Sequence, residues 1–212
     1  MNCCHNEGLE REFNPRRVAR MLASYRRDGP EHSTQLLIDA LLAQGVRDAT
    51  LLDIGGGVGA IQHALLQAGA RGSTGVDVSQ AYVAAATEES ARRGYAERTD
   101  YTHGDFVALA DTTEPADIVT LDRVICCYPN MPLLVERSVV KAGRLYGFVV
   151  PRPVWWVKLA RQAINGLARV ERSPFRFFVH PTEQIAAIIR AHSFAPVFSA
   201  NSGPWQVWVY ER

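Results

Sequence analysis

The chain has 212 residues, 47% of them hydrophobic, with 23 basic and 22 acidic side chains and a net charge of +1. That length supports a substantial core in one domain, 1–212, and the near-neutral balance gives no field to hold a nucleic acid. No apolar run reaches a membrane span, and Met1 to Glu12 lacks the apolar core of a secretory signal, so a cytoplasmic protein with reduced thiols is the expectation.

In chain order, Leu9 to Arg27 predicts a helix interrupted by Pro15 and ended by Gly29-Pro30, so residues 1–32 read as a tail and a lid helix. Ser33 to Ala43 predicts a second helix, with Gly45 at its C-cap. Thr50 to Ile54 is the short apolar run of a buried parallel strand. Gly55, Gly56, Gly57 and Gly59 then make a turn where a side chain would keep a ligand from the backbone. Ala60 to Ala68 resumes with Ile61, Leu65 and Leu66 at helical spacing. Strand, glycine turn and helix form the nucleotide-cradling start of an open α/β sheet.

Ser73 to Val78 predicts a second strand with Asp77 at its end, and Ser79 caps a helix from Gln80 to Arg93. Tyr101 to Gly104 and Asp117 to Ile125 predict the third and fourth strands. Pro132 opens a helix to Lys141 with Gly143 at its end, and Leu145 to Val150 is a fifth strand. Pro181 to His192 predicts a helix, and Val197 to Ala200 and Trp205 to Tyr210 a terminal hairpin.

An acid two residues before Gly55, followed by Gly57 and Gly59, resembles motif I of the class I S-adenosylmethionine-dependent methyltransferases. Gly55-x-Gly57-x-x-Ala60 also satisfies the dinucleotide fingerprint. A nicotinamide-dependent oxidoreductase therefore stays open, as does a non-catalytic cofactor-binding protein of the same fold. The terminal hairpin is similar to the methyltransferase sheet: α/β, open, doubly wound, seven-stranded, with an antiparallel last strand.

The resemblance implies S-adenosylmethionine as cofactor and a small-molecule acceptor, with no metal. It implies a cofactor site of Asp53, Gly55, Gly56, Gly57, Gly59, Asp77, Val78, Asp105, Phe106 and Asp122. In it Asp53 lies near the methionine part, Asp77 accepts from the ribose hydroxyls, Asp105 accepts from the adenine amino group and Phe106 packs on the ring. Asp122 reads equally well as a partner of Arg123.

Residues 151–179 exceed a usual connection and read as an inserted aromatic and basic lid. Trp155 to Val170 predicts a helix with Trp156, Leu159, Ala160, Ala163, Leu167 and Val170 on one face. Lys158, Arg161, Asn165, Arg169 and Arg172 fall on the other. The plain expectation is an apolar face packed on the core and a solvated basic face. The sharper one is a basic surface that attracts an anionic acceptor or anionic lipid headgroups, a peripheral membrane contact.

Tyr128, Trp155, Trp156 and His180 are acceptor-side candidates, with Tyr128 and His180 the candidate catalytic pair. Histidine suits a general base near neutrality, although a capping or core role fits it as well. Tyr128-Pro129, an aromatic insertion and His180 at a helix start are similar to magnesium-protoporphyrin O-methyltransferases, but Cys126-Cys127 stands where those have Ile-His. The four cysteines form adjacent pairs, Cys3-Cys4 and Cys126-Cys127, without zinc-site spacing. A metal shared by the two pairs and His5 is the minor expectation; a tail and two small buried residues is the main one.

Overall fold

The structure, a computed structural model, describes residues 3–171 and 173–212. Its strands are β1 (Thr50–Ile54), β2 (Gly72–Asp77), β3 (Thr99–His103), β4 (Ala116–Asp122), β5 (Ala142–Pro151), β6 (Ala195–Ser202) and β7 (Trp205–Glu211). They form one sheet in the order β3-β2-β1-β4-β5-β7-β6. Strands β1 to β5 pair in parallel, and β7 runs antiparallel between β5 and β6. The helices are α1 (Cys3–Glu12), α2 (Pro15–Asp28), α3 (His32–Ala43), α4 (Ala60–Gln67), α5 (Gln80–Arg92), α6 (Phe106–Leu109), α7 (Met131–Val139), α8 (Trp155–Val170) and α9 (Thr182–Ala191).

Alternation along the central strands divides the core in two, because successive strand residues point to opposite faces. Ile118, Leu145 and Val149 join Leu37, Leu41, Ile61 and Leu65 of α3 and α4. Val119, Leu121, Tyr146 and Phe148 join Leu134, Val135, Ile185 and Ile189 of α7 and α9. Helix α3 sits close to β5 because Gly147 leaves room: a Cβ there would lie 2.8 Å from Leu37 Cδ1.

Several boundaries differ from the sequence expectation. The fourth strand stops at Asp122, since Arg123 turns to φ +60° and a 3₁₀ turn, Ile125–Cys127, follows. Gly143 lies inside β5, and α7 begins under an Asn130 cap that accepts from Leu133 N at 3.3 Å. The third strand starts two residues earlier than expected, and α6 was not expected at all. The break at Pro15 is real: Asn14 caps α2, with Pro15 as its first residue. Helix α1 extends back through the Cys3-Cys4 segment. The side chains of Cys3, Cys4 and His5 lie outside the described residues, and so does the metal reading that uses them.

Candidate active site

The first βα turn is built by glycine geometry. Gly55, Gly57 and Gly59 have φ of +65°, +58° and +83°, values that L side chains rarely adopt. Asp77, at the end of β2, holds the turn from one side. Its Oδ2 accepts from Gly57 N at 3.2 Å and its Oδ1 from Ser79 N at 2.8 Å. Burial pushes its carboxyl up to about 6, against those two hydrogen bonds. Two lone-pair sites on the carboxylate remain for a ligand.

Asp53 holds the turn from beneath. It is fully buried, with Oδ1 accepting from Thr120 Oγ1 at 2.6 Å and Oδ2 from Gln62 Nε2 at 3.3 Å. A Cβ at Gly56 would collide with Asp53 Oδ2. Burial pushes this carboxyl up to about 7. Asp53 thus braces the glycine turn and forms no part of the cavity wall.

At the carboxyl edge of the sheet lies a cavity of about 60 Å³, walled by Gly55, Asp77, Val78, Gly104, Asp105, Phe106, Val124, Cys127 and Tyr128. Asp105 caps α6 by accepting from Val107 N at 3.0 Å, and its Oδ2 accepts from the Tyr128 hydroxyl at 3.3 Å. Burial raises the Tyr128 phenol far above its ordinary range, so it stays a donor. Leu9 of α1 fills the remaining side. Glu10 ties α1 down, accepting from Gln80 N at 3.2 Å and meeting His103 Nε2 at 2.9 Å. Ser79 Oγ donates to Phe13 O at 3.0 Å, and Phe13 packs on Tyr82 with centroids 5.3 Å apart.

Four more of the expected site residues lie elsewhere. Asp122 is outside the cavity wall: its Oδ2 accepts from Thr34 Oγ1 at 2.6 Å and its Oδ1 faces Arg123 Nε at 3.3 Å. Arg123 also pairs with Glu31 and lies 5.8 Å from the Trp205 ring. His180 points Nε2 at the Tyr128 carbonyl, 3.0 Å away, which requires the proton on that nitrogen. It stacks on Phe178 at 5.4 Å, and burial lowers its pKa. This side chain fixes the Tyr128 backbone. Trp155 and Trp156 face away from the body, 76% and 41% exposed.

Those tryptophans belong to an inverted helix. In α8, Val157 and Ala168 are buried, and Asn165 clamps Phe177 through two 2.8 Å hydrogen bonds, one accepted from N and one donated to O. Leu159, Leu167 and Val170, expected on the core side, are 58%, 59% and 81% exposed. Asn165 and Arg161, expected outward, turn inward; Arg161 Nε is buried without a hydrogen-bond partner among the described residues. The cause is the clamp: the Phe177 backbone takes the side of α8 that carries Asn165, leaving Lys158 and Arg169 exposed as expected and Leu159, Leu167 and Val170 in solvent. Arg172 lies outside the described residues.

Sequence reasoning missed the polar framework behind the turn. Glu89, 0% exposed, pairs with Arg26 at 2.8 Å, Arg92 at 2.6 Å and Arg93 at 2.7 Å, joining α2 to α5. Hydrogen bonds to Arg92, Arg26 and Arg93 hold its carboxyl far below the usual range. Beside it a chain runs Tyr25, His63, Ser90, Tyr101 with steps of 3.2, 2.9 and 2.8 Å. Burial holds His63 down at about 4, hence neutral. Only the i, i+3 and i, i+4 spacing of Glu89, Arg92 and Arg93 was visible in sequence.

An open sheet with β7 antiparallel between β5 and β6, and an acid-braced glycine turn at its carboxyl edge, defines a nucleotide-cofactor α/β protein outside the all-parallel dinucleotide order. Residues 51–139, from β1 through α7, match the family model described as a methyltransferase domain. The fold is that of the class I, S-adenosylmethionine-dependent methyltransferases. No curated protein matches the sequence. Among solved structures, magnesium protoporphyrin IX methyltransferase from Synechocystis PCC 6803, crystallised with S-adenosylhomocysteine, is similar at 19% identity and TM-score 0.73, over 96% of this chain and 98% of that one. An O-methyltransferase family protein from Burkholderia thailandensis is similar at 16% identity and TM-score 0.69, over 95% of this chain and 61% of that one. A ribosomal protein L11 methylase from Lactobacillus delbrueckii subsp. bulgaricus is similar at 18% identity and TM-score 0.62, over 87% and 80%. Their names span a porphyrin and a ribosomal protein, so this likeness carries the fold and leaves the acceptor to the site itself.

Proposed function

We propose that the protein transfers the methyl group of S-adenosylmethionine to an anionic small-molecule acceptor met at a lipid surface. The observation that carries the cofactor is Asp77, a carboxylate on the cavity wall aimed by the amides of Gly57 and Ser79. Asp77 would accept from the ribose hydroxyls, Asp105 from the adenine amino group, and the left-handed glycines let the backbone approach the ligand. When bound, S-adenosylmethionine supplies a methyl already activated on a sulfonium sulfur. The chain then has mainly to align the acceptor and exclude water. No free base is required, in keeping with a His180 committed to the Tyr128 carbonyl. S-adenosylhomocysteine should raise the melting temperature and NAD should not; equal stabilisation by NAD would return the oxidoreductase reading.

The acceptor side is supported by α8. Between Arg152 and Arg176 the sequence has six basic residues and one acid. The outward face of α8 combines Trp155, Leu159 and Val170 with exposed Lys158 and Arg169 along its edge. An apolar helix face edged with cations suits an anionic bilayer, while Arg161 beneath it, its Nε without a hydrogen-bond partner among the described residues, offers a guanidinium to an anionic acceptor. The chain should sediment with vesicles containing phosphatidylserine and remain free with pure phosphatidylcholine. Leu159→Glu with Val170→Glu should abolish sedimentation and leave S-adenosylhomocysteine binding intact. Sedimentation indifferent to lipid charge and to both substitutions would refute the surface reading.

A further inference from the structure

Past the end of β4, two adjacent cysteines turn their thiols together. Cys126 and Cys127 lie 3.8 Å apart, sulfur to sulfur. Both lie within hydrogen-bond reach of one acceptor, the Arg123 carbonyl, at 3.1 Å and 3.7 Å. Arg123 has φ +60°, a conformation that strains a non-glycine residue and persists only when its surroundings hold it. Cys126 is buried; Cys127 is half-buried and stands in the cavity wall next to Tyr128. Methyl transfer, as derived above, uses neither thiol.

Distance decides between the fates open to such a pair. A disulfide needs sulfurs about 2.05 Å apart and usually Cα atoms about 4.4–6.8 Å apart. Neighbours across a trans peptide sit only about 3.8 Å apart, so joining these sulfurs would strain the turn. A soft atom bridging the sulfurs needs no such approach. Among the described residues no group of three His, Cys, Asp or Glu side chains could hold a metal ion. The pair therefore suits a thiophilic centre that needs two sulfurs and brings its own third substituent.

We propose that Cys126 and Cys127 form a chelating site for a monosubstituted trivalent arsenical. Each thiol loses its proton as its sulfur bonds to arsenic, and each of the two arsenic hydroxyls leaves as water. Arsenic stays trivalent, so no oxidant or reductant takes part. The half-buried Cys127 reacts first. Cys126, held as a thiol by its hydrogen bond to Cys127 and by burial, then closes the ring. The bridge adds bulk beside the Tyr128 and Asp105 pair, so arsenical and adenosyl ligand exclude one another; this consequence rests on the cofactor reading.

The probe is phenylarsine oxide, applied to the full chain with Cys3→Ser and Cys4→Ser so that only this pair remains. Intact-mass measurement should show one arsenical per chain, kept in excess monothiol and released by 2,3-dimercaptopropanol. Cys126→Ser and Cys127→Ser, made separately, should each lose the monothiol-resistant adduct. Treated protein should lose the thermal shift with S-adenosylhomocysteine that untreated protein shows. An adduct washed out by monothiol, or one that survives either substitution, overturns the site. If untreated protein itself gives no shift, the cofactor reading falls, while the mass measurement still decides the chelate.

Discussion

Replacing Asp77 by Asn separates a site role from a structural one. The carboxyl rises from 3.8 to about 6 on folding, so at pH 8 the fold bears roughly 3 kcal/mol for the ionised group, at about 1.36 kcal/mol per unit. Asn removes that cost. It also leaves the Gly57 amide, now 3.2 Å from Oδ2, facing an NH₂ group, a loss of about 1–3 kcal/mol. The two changes nearly cancel, so Asp77→Asn should hold its melting temperature to within a few degrees, at roughly 2–4 °C per kcal/mol for a chain of this size. Ligand binding has no such compensation. Exchanging charge-assisted for neutral or mismatched hydrogen bonds at the ribose should cost about 1.5–3 kcal/mol, roughly 10- to 150-fold in Kd. Calorimetric titration with S-adenosylhomocysteine, paired with a thermal scan at pH 8, reads both quantities. An unchanged Kd, or a collapse of stability matching the loss of affinity, would refute the assignment.

Other expectations follow from the same geometry. Gly56→Ala drives a methyl into Asp53 Oδ2 and should cost about 1–3 kcal/mol of stability, read in a urea titration; a neutral result would mean that the turn is not braced as described. Asp53 binds its proton more tightly folded than unfolded, so between pH 3.8 and about 7 it removes stability as pH rises. Asp53→Asn should flatten that part of the melting profile, and a parallel profile would contradict it. His63 has the opposite sign: held near 4 instead of 6.5, it makes stability fall as pH drops through that interval, a slope that His63→Gln should abolish. Glu89→Gln leaves Arg26, Arg92 and Arg93 without their buried partner and should cost about 3 kcal/mol, and a denaturation midpoint like the parent's would show that the cluster is idle.

The sheet was legible because its signals are local. The apolar runs, that of β5 included, the glycine turn and the Ser79 cap each follow from residues close in sequence. Tertiary contacts fixed what was not legible. Whether Asp53 and Asp77 meet a ligand or brace a turn depends on Gln62, Thr120 and the amides around them. Asp122 was ambiguous between a site acid and an ion-pair partner until α3 brought Thr34 against it. Periodicity grouped Arg161 and Asn165 on one side of α8 but put the exposed Lys158 and Arg169 with them and left the buried Val157 and Ala168 off both faces, because the deciding contact is Asn165 with the Phe177 backbone. Arg123 carries no composition signal for a left-handed turn, so the early end of β4 was invisible.

The cavity of about 60 Å³ that Leu9 walls on one side has a consequence for affinity. Sites that bury a ligand of nucleoside size enclose about 300–1,000 Å³, so binding is expected to draw on conformers in which Glu10 has released Gln80 and His103 and Phe13 has released Ser79. The measured dissociation constant is then the intrinsic one divided by the fraction of chains already open. With one chain in a hundred open, for instance, apparent affinity is roughly a hundredfold below what the cavity walls offer. Glu10→Gln, far from the reacting methyl, should tighten cofactor binding by raising that fraction. The N-terminal helix would then set the cofactor concentration at which the protein becomes occupied without touching the chemistry.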